Sequence, residues 1–156
     1  MPDWIKWTAP AAAVVSISSS AHAVQYLSIA QAQKLAFPSA TQFVETQPGR
    51  VWKAQAGGQV VGLFVFDRVI GKHLYIDYVV ALDPGGRVRR VDILQYRESY
   101  GGEVRGAGWL AQFVGKTSAS ALQVGSDIRN ISGATLSSHH VTEGVKRIMA
   151  IVPRLK

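Results

Sequence analysis

Tyr78-Val79-Val80-Ala81-Leu82-Asp83-Pro84-Gly85-Gly86-Arg87-Val88 is an apolar run, a tight turn and the start of a second run. In the turn, proline fixes φ and the glycines accept backbone angles closed to other residues, so the chain reverses here. The pattern predicts two antiparallel strands, over 73–82 and 87–96. In the second, Val91 and Ile93 alternate with Arg90, Asp92 and Leu94, which predicts one wetter face. Toward the N-terminus, stretches 51–56 and 59–69 flank Gly57-Gly58 and read as a hairpin. Val60, Val61, Leu63, Phe64, Val65 and Phe66 are nearly continuous, as expected of a strand buried on both faces. Gly71 breaks that strand, and Pro48-Gly49 marks a turn before the hairpin. Ser28-Ile29-Ala30-Gln31 is a capping box that opens a short helix through Ala36, stopped by Pro38.

Toward the C-terminus, Glu98-Ser99-Tyr100-Gly101-Gly102 reads as a loop, after which Trp109, Leu110, Phe113 and Val114 recur at helical spacing. Val141, Val145, Ile148, Met149 and Val152 form one apolar stripe, predicting a helix over 138–152 ended by Pro153. The expected fold is α+β, a half-barrel-like antiparallel sheet flanked by N- and C-terminal helices. No internal repeat divides it, so 24–156 is one domain.

The chain has 156 residues, enough for one domain with a sizeable core. Apolar residues make up 47% and charged ones 17%, which excludes a disordered tail or low-complexity scaffold. Cysteine is absent. That excludes thiolate nucleophiles, disulfides, iron–sulfur clusters, Cys-type structural zinc and haem attached through C-x-x-C-H. Chemistry must come from hydroxyls, carboxylates, histidines or a borrowed cofactor. The net charge is +7. Arg87, Arg89 and Arg90, and separately Lys146, Arg147, Arg154 and Lys156, read as solvated faces suited to an acidic redox partner or an anionic membrane surface.

Residues 1–23 read differently. Met1-Pro2-Asp3-Trp4-Ile5-Lys6-Trp7 precedes an Ala/Val-rich stretch and then Ser18-Ser19-Ser20-Ala21-His22-Ala23. The Ala-x-Ala end has small side chains where signal peptidase needs them, so 1–23 is expected to be a secretory signal and the mature protein periplasmic. A retained anchor is the alternative, but a spanning helix needs roughly 20 mostly apolar residues. This run is shorter, broken by Pro10 and diluted by serines.

The chemistry-bearing segment is Asn130-Ile131-Ser132-Gly133-Ala134-Thr135-Leu136-Ser137-Ser138. Its small residues let a backbone approach a ligand, and several hydroxyls crowd one turn. A helix N-terminus behind them offers unpaired N–H groups and partial positive charge, an arrangement suited to phosphate. The same residues also make ordinary helix caps.

Ser132-Gly133-Ala134-Thr135-x-Ser137 resembles the flavinylation motif of the FMN-binding domain family. Its members are related to the flavin-carrying subunits of sodium-pumping quinone reductase and the Rnf/Rsx complexes. The resemblance extends over 78–88, over Ile93-Leu94-Gln95-Tyr96-Arg97-Glu98, and over 108–116 with its Gln-Phe-x-Gly-Lys end. It implies FMN joined through its phosphate to Thr135 by a separate flavin transferase that uses FAD and magnesium. It also implies cofactor contacts from Ser132, Gly133, Ala134, Leu136 and Ser137, and from Glu98, Tyr100, Gly101 and Gly102 in a flavin-facing loop. No metal ligand or catalytic residue is implied on this chain. A threonine hydroxyl is a poor nucleophile unaided, so a separate transferase makes sense. Nearby cations, Arg97, Arg105 or Lys72, would favour reduced flavin. Two positions depart from the pattern: Arg129 stands where an Asp is common, with Asp127 the nearest acid, and Glu98-Ser99-Tyr100-Gly101-Gly102-Glu103 replaces the usual Glu-Thr-x-Gly-Leu-Gly.

The implied function is an electron-transfer flavoprotein working with a membrane-bound redox partner. The competing readings are a domain that binds FMN reversibly, and a non-redox accessory module that docks through its basic surface. His139 and His140 are adjacent, so on a helix they point about 100° apart and make a poor chelating pair. His73 and Tyr100 are candidate flavin neighbours, whereas the spacing of Trp109 with Phe113 favours core. No recognition motif points to nucleic acid. For export, N-terminal sequencing of the mature protein should start at Val24; a peptide containing Trp4 or Trp7 would instead mean a retained anchor.

Overall fold

The structure, a computed structural model, describes residues 24–155; the expected signal at 1–23 lies outside them. Six strands form one open antiparallel sheet in the order β1-β6-β5-β4-β3-β2. They are β1 Val24–Gln25, β2 Gln42–Gln47, β3 Val51–Ala56, β4 Gln59–Ile70, β5 Tyr75–Leu82 and β6 Val88–Tyr96. Helix α1 spans Ile29–Ala36, α2 Ala107–Leu110 and α3 Thr135–Leu155, with short 3-10 turns at Gly102–Arg105 and Ala111–Phe113. The fold is α+β, with the N- and C-terminal helices on the sheet as expected.

Every residue of β5 after Tyr75 is buried. Side chains alternate between faces along a strand, so a continuous apolar run needs a cover on each side. Tyr78, Val80 and Leu82 join Val141, Val145, Ile148 and Met149 of α3, together with Trp109 and Phe113, in one core. Val79 and Ala81 join Phe64, Leu94, Ala32, Ala36 and Phe37 in the other. The capping box that starts α1 is formed, Ser28 Oγ accepting from Gln31 N at 3.1 Å and Ser28 N donating to Gln31 Oε1 at 2.8 Å.

Several expectations change in detail. Two-sided burial holds in β4 only over 62–65, and Val60 is 44% exposed. β5 starts at Tyr75 rather than 73, because Gly71 N bonds Leu74 O at 2.8 Å and closes a turn first. The wetter face of β6 is confined to its start: Leu94 packs under α1, and Asp92 is buried against Arg90 at 2.6 Å. Helix spacing over 109–114 stops at Phe113, since the tighter 3-10 turn rotates Val114 outward. α3 starts at Thr135, not 138, and runs past Pro153, which falls in its last turn where little helix remains to be kinked. β2 is an addition: only Phe43 and Val44 are half-buried and the rest is exposed and largely polar, so its strand signal is short.

The basic groups are not merely solvated faces. Asp67 accepts from Tyr78 Oη at 2.9 Å, Arg50 at 3.0 Å and Arg147 at 2.5 Å, tying α3 to the sheet. Arg89 donates to Ala36 O at 2.6 Å and covers the Phe37 ring.

Helix α3 crosses Tyr78 at Gly144. A Cβ there would lie 2.4 Å from Tyr78 Oη and 2.7 Å from Val69 Cγ1. Alanine gains about 1 kcal/mol over glycine in an exposed helix, but overpacking costs about 1–3 kcal/mol and here also disturbs the Tyr78–Asp67 bond. Gly144→Ala should therefore lower the thermal midpoint. Gly108→Ala, with open space around its Cβ, should leave the midpoint unchanged or raise it.

Candidate functional site

β4 ends, β5 begins and β6 ends at the same edge of the fold, because Ile70 pairs with Tyr75 and Ile76 with Tyr96. The N-terminus of α3 meets them there and leaves a cleft of about 290 Å³. Its lining is Lys72, Tyr100, Gly101, Gly133, Ala134, Thr135, Leu136 and Ser137. All but Lys72 are among the residues that the resemblance implies as cofactor contacts, and Lys72 is one of the three candidate cations.

Tyr96 assembles the cleft. Its hydroxyl meets Ser137 Oγ at 3.0 Å and donates to Tyr100 O, joining the end of β6, the loop and the first turn of α3. Burial pushes the Tyr96 phenol above its ordinary value, so it remains protonated as a donor. Gly101 adopts φ +86°, and a Cβ there would lie 2.5 Å from Tyr96 Oη and 2.8 Å from Ser137 Oγ. Only glycine lets the loop close on the helix. Tyr96 itself was not anticipated as a site residue; its one sequence signal is a tyrosine ending an apolar strand just before the glycine loop.

Gly133 has φ +85° with nothing near its Cβ position, and Ala134 N bonds Ile131 O at 3.0 Å to form the turn into α3. The first intrahelical-type bond runs from Ser138 N to Ala134 O at 2.9 Å. The amides of Thr135, Leu136 and Ser137 precede it and have no intrahelical acceptor. The hydroxyls sort by burial. Ser137 is 4% exposed and engaged by Tyr96; Ser138 is fully buried and donates to Ala134 O at 2.8 Å. Thr135 is exposed, its Oγ1 accepting one 3.3 Å bond from Asn130 Nδ2. Ser132 is exposed but does not line the cleft.

Gly102 lies against the Tyr96 ring, and neither it nor Glu98 lines the cleft. Glu98 instead accepts from the N–H groups of His73 and Leu74, the latter at 2.7 Å, and so holds the β4–β5 turn that carries Lys72. His140 grips the same turn from α3, its Nδ1 donating to Ile70 O at 2.5 Å and Gly71 O at 2.9 Å. His139 is exposed. Of the candidate cations, Arg97 is consumed by Asp77 at 2.9 Å and Arg105 stacks on Tyr26, so Lys72 alone of the three reaches the cleft. Trp109 is core, as its spacing indicates, with its indole N–H on Arg129 O at 2.7 Å. Asp127 is held by Leu122 N, Gln123 N and Lys116, while the Arg129 side chain points to solvent.

The donor set fits a phosphate-bearing group. An accessible hydroxyl, main-chain amides at a helix start and an ammonium share the cleft, and none of its lining residues is a carboxylate.

Partial desolvation pushes the Glu98 carboxyl up, but the amides of His73, Leu74 and Lys72 outweigh it and hold it below its ordinary 4.5. A depressed carboxylate contributes stability above its unfolded pKa and loses it as pH falls through the folded one. The protection factors of the His73 and Leu74 amides, measured against the intrinsic exchange rate at each pH, should therefore fall on acidification below pH 4.5. Glu98→Gln should reproduce that loosening at neutral pH while the α3 amides stay protected; equal protection in the variant would refute the pinning role.

No curated protein matches the chain. The family model for the FMN-binding domain matches residues 71–150, from the end of β4 through most of α3, and the span holds every residue lining the cleft. The chain is a flavin-binding protein and belongs to the FMN-binding domain family.

Proposed function

We propose that this protein is an exported electron carrier whose FMN is esterified through its phosphate to Thr135. It would pass electrons between a membrane-bound reductase and a periplasmic acceptor. The observation that carries the attachment site is the sorting of hydroxyls: Thr135 is exposed and lines the cleft, whereas Ser137 and Ser138 are buried and hydrogen-bonded. Thr135 has no His, Asp or Glu hydrogen-bonded to its hydroxyl among the described residues. A base must then come from outside, which supports modification by a flavin transferase using FAD and magnesium.

When bound, the flavin supplies reversible electron uptake and release. The chain's own residues hold and expose it. The first-turn amides and dipole of α3 offset the phosphoester charge by about 0.3–1 kcal/mol at an exposed site, and Lys72 adds a cation. Gly133 and Ala134 keep the approach open. Leu136, 50% exposed, and Tyr100, 87% exposed, offer apolar surface for a flat ring. Pockets that bury a ligand measure about 300–1,000 Å³. A cleft near 290 Å³ is too small to enclose the whole group, which leaves it open to protein partners.

The test is protein exported by its native route with a flavin transferase co-expressed. Wild type and Ser132→Ala should gain the mass of FMN less one water and fluoresce after denaturing electrophoresis, and Thr135→Ala should not. Thr135 is at the helix start and makes one long hydrogen bond, so its replacement should cost at most about 1 kcal/mol of stability. Label persisting in Thr135→Ala would refute the site. Yellow wild-type protein that loses its colour on denaturation would mean reversible binding, and colourless protein an accessory module.

A further inference from the structure

A cavity of about 560 Å³, larger than the cleft and sharing no lining residue with it, lies between α1, β6 and α2. Its floor includes one segment of β6 whose outer side is unpaired. Strand β1 reaches only Gln95 and Tyr96, and Leu94 O accepts from Tyr26 N at 2.8 Å. At the other end, Gly115 N bonds Val88 O at 2.7 Å and Val88 N bonds Lys116 O at 2.9 Å. Between these points, 89–93 has no main-chain partner on its outer side among the described residues. Strand alternation turns the N–H and C=O of every second residue outward, and such an edge is a template for another strand.

The opposite edge, β2, is defended. A register shift falls between Glu45 and Gln47, and its exposed side chains are largely polar. The β6 segment has different surroundings. Leu35, 47% exposed, and Val114, 54% exposed, stand on the walls of its cavity.

Charge identifies the occupant. Arg90 is already neutralised by Asp92 through contacts of 2.6 and 3.0 Å. Arg89 lies over the Phe37 ring at 5.2 Å and Arg105 over the Tyr26 ring at 4.5 Å, and neither has a carboxylate partner among the described residues. Guanidiniums already held over rings lose less freedom when they take up a carboxylate, which their planar fork matches. We propose that the open edge of β6 at 89–93 docks an extended acidic segment of a partner protein, which adds as a strand and sets carboxylates on Arg89 and Arg105. A lipid surface fits less well, because a flat bilayer does not reach main-chain groups recessed in a concavity. The proposal is independent of the flavin reading, since no residue of the cleft takes part.

The probe is a short fluorescein-labelled peptide of alternating glutamate and valine, added to the purified exported protein and followed by anisotropy. Saturable binding is expected, with slowed amide exchange within 89–93. Arg105 is exposed, so Arg105→Gln should keep the fold and weaken binding roughly tenfold, the effect of a lost charge-assisted bond. N-methylation of alternate peptide amides should weaken it at least as much. A lysine–valine peptide should not bind. The proposal is overturned by absent saturable binding, by indifference to N-methylation, which would mean plain charge attraction, or by preferential Arg105-dependent binding to phosphatidylglycerol vesicles.

Discussion

The rest of the structure depends on one constraint, the two-sided burial of β5. A strand with apolar side chains on both faces has to be covered twice, and the chain supplies α1 from one end and α3 from the other. The position of α3 then follows from its stripe and from polar ties through Asp67 to Tyr78 and Arg147. Because α3 lies along the sheet in that register, its first turn arrives where β4 and β6 end. The cleft is a by-product of that arrival, and no separate binding domain is needed.

Much of this was legible beforehand. The turn at 83–86, the hairpin around Gly57-Gly58, the capping box and the α3 stripe each rest on strong local signals, and each appears where its signal falls. What escaped depended on tertiary context. β2 is held by pairing with β3 rather than by its own apolar pattern. Pro153 looked like a stop, yet Val152 is buried beside it and Leu155 packs on the core, carrying the helix onward. At the site, Thr135 and its glycine-rich approach were readable from a motif. The displacement of Glu98 from the cleft was not, because its partners are amides contributed by a turn 24 and 25 positions away. Tyr96 was invisible for the same reason: its role appears only when Ser137 stands beside it.

The charge distribution shows the same limit of local reading. Of the two groups that read as solvated faces, Arg90 is taken by Asp92 and Arg147 by Asp67, which also holds Arg50; elsewhere Asp77 gathers Arg68 and Arg97. In these pairs the carboxylates expose only 8–12% of their side chains while the arginines expose 23–57%, so removing an arginine would leave a nearly buried charge short of a partner. Arg90–Asp92 lies within β6; the others also fix one element, or the turn beside it, relative to another.

The bond between Tyr96 and Ser137 spans 41 positions, and that from His140 to Ile70 spans 70. Contacts so distant in sequence carry a loop-closure penalty and are found only once the intervening chain is organised. In an unstructured chain the hydroxyls near residue 135 are chemically alike, differing only as serine or threonine. Completed folding seals some of them and leaves another open beside its cation. The cleft is thus a record of assembly: whatever recognises its shape, rather than its local peptide, discriminates finished molecules from unfinished ones.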